Sequence, residues 1–165
     1  MKETRHTDLL LGMVSCCIEG NQQKHYFLAD LDEKDQGKVE DVAMKLVQKF
    51  RTGNIYVVRS GKGYHLISFS KPVGIDAYIK MLRFVKSDPM FIKWVKKVGY
   101  GVLRISRRSS HMQVPCVVSV MVSPYEIKEN EMQKAFYLSA LLYEQKINQV
   151  KRVLVEYRRY DVNGK

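Results

Sequence analysis

Two hydrophobic periods alternate along this chain, and the switches between them divide it into elements. Over 38–51, Val39, Val42, Ala43, Leu46, Val47 and Phe50 recur three or four apart, with Glu40, Asp41, Lys45, Gln48 and Lys49 between them. That spacing predicts a helix with one buried stripe, stopped by Thr52-Gly53. The apolar run of Ile55 to Val58 predicts a strand covered on both faces. A strand is expected over 24–31 and another over 64–70, the latter closed by Pro72. Helices follow over 76–86 and 89–98; Asp88 at N-cap and Pro89 at N1 open the second, and Gly99 ends it. Beyond them lie a strand over 100–106, a β-type run over 114–122, a long helix over 129–147 and a strand over 150–157. Near the N-terminus, Leu9, Leu10, Met13 and Cys17 form a partial stripe after a capping Thr7, which predicts a helix over 8–18, with a strand as the alternative. A turn is expected over 20–23. With no repeat, low-complexity tract or linker, the pattern implies one α+β domain over 1–165, a mixed or antiparallel sheet with helices packed on it.

Charge narrows the class of partner. Lys and Arg total 28 against 17 Asp and Glu, a net +11. Such a balance favours a polyanion, nucleic acid before an acidic membrane surface, because neutralising phosphates releases condensed counterions. No apolar run approaches the roughly eighteen residues that span a bilayer. The opening MKETRHTD is too polar to begin a signal peptide, so a cytoplasmic protein without a membrane partner is expected. Cys16, Cys17 and Cys116 are odd in number and form no CxxC, which fits a reducing compartment and argues against a disulfide framework or zinc knuckle. Cys16 and Cys17 are expected to be small buried residues.

Two stretches carry candidate chemistry. In Tyr26-Phe27-Leu28-Ala29-Asp30-Leu31-Asp32 an apolar run ends in two aspartates. On a strand these project from one face about 7 Å apart, as ligands for a hard divalent cation would. The plain alternative is a solvated strand end. In Ser60-Gly61-Lys62-Gly63-Tyr64-His65 the glycines let backbone N–H groups approach an anion, Ser60 offers a hydroxyl, Lys62 a charge, and His65 a hydrogen bond to a triphosphate. Here the plain alternative is a hairpin turn with glycines at positive φ. A strand–helix–strand unit joins the two stretches in the order needed to bring two strands side by side. Arg104, between apolar neighbours on an expected strand, and Arg107 and Arg108 in a basic loop suit phosphate contacts, with a solvated basic loop as the plain alternative, stronger for Arg107 and Arg108 than for Arg104. Trp94 is open between core packing and base stacking.

The two motifs resemble those of the archaeo-eukaryotic primase superfamily, which includes the primase–polymerases of archaeal plasmids and viruses. Its first motif, apolar residues then DxD, is matched by Phe27 to Asp32; its second, often SGxG(Y/F)H, by Ser60 to His65. The match is close over 26–70 and holds in outline elsewhere. The resemblance implies an RRM-like catalytic core in which Asp30 and Asp32 ligate Mg2+ or Mn2+. Ser60, Gly61, Lys62, Gly63 and His65 would hold a nucleoside triphosphate. Arg104, with Arg107 and Arg108, would meet phosphate or a single-stranded DNA template. The family's third motif, an apolar residue then aspartate, falls on either Asp88 or Asp76. Asp88 lies at the better distance but follows Ser87; Asp76 follows Ile75 but lies close to His65 in sequence.

The activity implied is DNA-templated nucleotidyl transfer, with a helicase or accessory primase subunit as a further expected partner. The alternative is a catalytically weak or inactive primase-like nucleic-acid-binding protein acting in replication initiation. A nuclease using the same acids would need further acidic or lysine ligands near the pair.

Overall fold

A computed structural model describes residues 12–106 and 113–146. Strands β1 (Gly12–Val14), β2 (Cys16–Glu19), β3 (Gln22–His25) and β4 (Leu28–Leu31) precede helix α1 (Gln36–Phe50). Then come β5 (Ile55–Ser60), β6 (Gly63–Ile67), α2 (Ile75–Phe84), α3 (Pro89–Val98), β7 (Val102–Arg104) and β8 (Cys116–Met121). A fourth helix, α4, occupies 131–146. The architecture is α+β, and every described strand pairing is antiparallel. No described helix is long and apolar enough to cross a membrane.

The main sheet runs β4-β6-β5-β8, while β1 with β7 and β2 with β3 form two small ladders. Because β6 lies between β4 and β5, the strands brought side by side are those that carry Asp30 and His65. Helix α1 buries Val39, Ala43, Leu46 and Val47 against one face of the sheet. Asp35 caps its first turn by accepting from the Lys38 N–H at 3.3 Å, and Arg51 ends it in the left-handed region at φ 48°. On the other face, Tyr56 contacts Phe69 and donates to Glu129, and Phe69 contacts Tyr137 of α4. Helix α3 has the bounds its caps predict: Asp88 accepts from the Met90 N–H at 3.1 Å, and Gly99 closes it at φ 86°.

Three expectations are corrected. The helix over 8–18 gives way, in its described part, to β1 and β2, so the strand alternative holds there. Met13 is buried between exposed Gly12 and Val14, a period of two that β7 rewards with a ladder. The single strand over 24–31 breaks at Tyr26-Phe27, where His25 leaves to bridge Val73 and Tyr26 donates to the Ser15 carbonyl. Cys16 and Cys17 are half-buried rather than enclosed, on the hairpin that β2 and β3 form. The expected strand over 150–157 lies outside the described residues.

Candidate functional site

Strand β4 is an edge of the main sheet, and its outward carbonyls find partners from far along the chain. The Tyr78 hydroxyl donates to the Leu28 carbonyl at 2.6 Å. The Asp30 carbonyl accepts from the Ser87 hydroxyl at 2.8 Å and from the Asp88 N–H at 2.7 Å. Since that carbonyl points away from β6, Asp30 and its direct partner His65 form a non-hydrogen-bonded pair. Such pairs have Cα atoms about 4.5 Å apart and the closer side chains. Asp30 Oδ1 and His65 Nε2 are 3.6 Å apart.

Register assigns the neighbours to faces. His65 also pairs with Val58, and Ser60 pairs with Gly63, so Asp30, His65 and Ser60 share one face. Leu31, Tyr64 and Arg59 are a cross-strand row on the opposite face. Asp32 lies just past β4 and is exposed; Ser60 is buried at the end of β5; Gly61 and Lys62 form the exposed hairpin apex. A Cβ on Gly63 would collide with the Leu31 carbonyl oxygen, so close approach of β4 requires glycine here; no positive φ is involved.

Electrostatics links five of the predicted residues. Burial, then the charges of Asp32 and Asp88, push the Asp30 carboxyl up to about 6, with Arg104 opposing. Burial, aided by the Arg104 guanidinium, pushes the His65 imidazole down to about 4. At neutral pH the pair is therefore a carboxylate beside a neutral imidazole, not an ion pair. Two buried nitrogens here have no hydrogen-bond partner, His65 Nδ1 and Arg104 Nε. Asp88 is thus held beside Asp30, whereas Asp76, exposed in the first turn of α2, is not among the charges acting on it. Arg107 and Arg108 lie outside the described residues.

Asp30, Asp32 and Asp88, the latter two near enough for their charges to act on the first, are hard oxygen donors of the kind Mg2+ and Mn2+ take. Among the described residues, however, no three Asp, Glu, His or Cys side chains converge as a preformed ligand group. One oxygen of the Asp88 carboxylate, Oδ1, is engaged by the Met90 N–H. Two concavities adjoin at Asp32 and Lys34. One, of about 630 Å³, is lined by Asp32, Lys34, Arg59, Gly61, Lys62, Gly63 and Tyr64. The other, of about 650 Å³, lies between the start of α1 and the α2–α3 junction and includes Leu31, Lys38, Lys86 and Asp88. Neither is lined by Asp30 or His65.

Sequence reasoning missed the Ser87 and Tyr78 contacts that pin β4, as well as Lys34 and Arg59. The first two leave no local trace. Arg59 could have been found by noting the one charge in an otherwise apolar strand. No family model, curated protein or solved structure matches this chain.

Proposed function

We propose that this chain is a nucleotidyltransferase of the primase–polymerase type, with an RRM-like core, joining nucleotides from nucleoside triphosphates on a single-stranded DNA template. The observation that carries the reading is the direct pairing of Asp30 with His65 on one sheet face, with Ser60 further along it. Two motifs 33 positions apart in sequence become adjacent groups, as a metal-bound triphosphate would require.

Asp30 and Asp32, joined by Asp88, would hold Mg2+ or Mn2+. Bound there, the cation supplies a lowered pKa for the attacking hydroxyl and charge neutralisation at the phosphate. The protein's own residues supply the rest. His65, kept neutral, retains one N–H to donate, and its Nδ1 and the Arg104 Nε are polar atoms without a protein partner. A phosphate oxygen, an acceptor only, would satisfy the Arg104 Nε–H, and His65 Nδ1 in the tautomer that carries the ring proton there. The Ser60 hydroxyl would contact the outer phosphates. Ser87, by holding the Asp30 carbonyl, fixes the strand that carries the carboxylates.

A second reading, a non-catalytic relative that binds nucleic acid, is favoured by two observations. His65 is almost wholly enclosed, and the Asp88 carboxylate is engaged as a helix cap. Calorimetry with nucleoside triphosphate and Mn2+ separates the two. The first reading expects saturable heat that Asp30→Asn/Asp32→Asn abolishes. The second expects none, with salt-sensitive DNA binding intact.

A further inference from the structure

The concavity against Arg59 lies on the sheet face that His65 does not occupy. Its charged lining is Lys34, Arg59 and Lys62 against Asp32 alone. The adjoining concavity balances Lys34, Lys38 and Lys86 against Asp32, Glu33 and Asp88, so only the first is built for an anion. The side chains of Lys34, Arg59 and Lys62 enter no ion pair with a described carboxylate. All three residues are exposed, while Tyr64 is buried beneath them and gives the concavity an apolar floor. Their positive charge is therefore not consumed by the fold.

We propose that Lys34, Arg59 and Lys62 form a seat for the phosphate backbone of single-stranded nucleic acid, on the side of the sheet opposite His65. A triphosphate contacting His65 cannot also reach Arg59, because adjacent strand positions face opposite ways. The concavity calls for a second, separate polyanion. Asp32 lies at its rim, so a strand seated there runs towards the carboxylates. The seat deepens the reading above by giving the nucleic-acid strand a location, but it does not depend on metal or nucleotide, and neither does its test.

The test is fluorescence anisotropy with a labelled thymidine oligonucleotide, in EDTA, with no nucleotide, over a salt series. Two triple variants of equal charge are compared: Lys34→Gln/Arg59→Gln/Lys62→Gln, and Lys93→Gln/Lys96→Gln/Lys97→Gln on α3. All six positions are exposed, and circular dichroism melts check that both variants fold. Each phosphate contact on a single strand contributes about 0.7 to the slope of log K against log salt, so losing three lowers it by about 2. The first triple is expected to lose at least tenfold in affinity and about 2 in slope, with the α3 triple within twofold of the parent. Equal losses in both triples, or none in the first, would overturn the seat. Failure of nucleotide binding elsewhere would leave this result untouched.

Discussion

Asp30 and His65 face each other across neighbouring strands, Oδ1 to Nε2 at 3.6 Å, with the Asp30 carboxyl raised to about 6 and the His65 imidazole lowered to about 4. Burial drives both shifts, and each favours the neutral form.

The two shifts act on stability with opposite signs. Asp30 binds its proton more tightly when folded, so its contribution is greatest below its ordinary 3.8 and falls as pH rises to about 6. His65 binds its proton less tightly when folded, so stability is lost as pH falls from 6.5 to about 4. The two slopes overlap and oppose one another in that window. Urea unfolding at several pH values should show Asp30→Asn gaining stability as pH rises from about 4 to 6.5. His65→Gln should lose stability over about 4 to 6. Slopes of the same sign in both variants would refute the assignment.

A divalent cation on these carboxylates would relieve their mutual repulsion. Mn2+ should raise the melting temperature, and at 100 times its dissociation constant the gain is about 2.7 kcal/mol. EDTA should reverse it, and Asp30→Asn/Asp32→Asn should remove it. An equal shift in the double variant would place the cation elsewhere.

Asp88 serves as cap and, under the proposal, as ligand, and two substitutions separate these roles. Asparagine caps as well as aspartate, whereas alanine costs about 1 kcal/mol. Asp88→Asn should therefore keep parental stability but show a smaller Mn2+-induced shift, while Asp88→Ala loses both. A full Mn2+ shift in Asp88→Asn would remove the residue from the ligand set.

Gly63→Ala forces a methyl against the Leu31 carbonyl, between Asp30 and Asp32 in sequence. Overpacking of this kind costs about 1–3 kcal/mol. The urea midpoint should drop with an unchanged m-value, and Mn2+ affinity should fall with it as the end of β4 is displaced. A parental midpoint would show that β4 and β6 separate without cost.

Elements whose signal is local were legible beforehand. The α1 stripe, Asp88-Pro89 at the start of α3 and Gly99 at its end each name a boundary through a contact within four residues. What depends on distant partners was not. The break at Tyr26-Phe27 arises because His25 pairs with Val73, and β4 is held by Tyr78 and Ser87, which no periodicity connects to it. The pattern of each stretch marked Asp30 and His65 as candidates, but their register, and the opposite facing of Arg59, are set by pairings between distant strands.

The most direct test is template-directed synthesis: a primed single-stranded DNA, labelled nucleotides and Mn2+, with the parent beside Asp30→Asn/Asp32→Asn. The account predicts products whose sequence follows the template in the parent and their loss by at least a hundredfold in the double variant. Undiminished synthesis in the double variant, or no synthesis by the parent with any nucleotide, would contradict it.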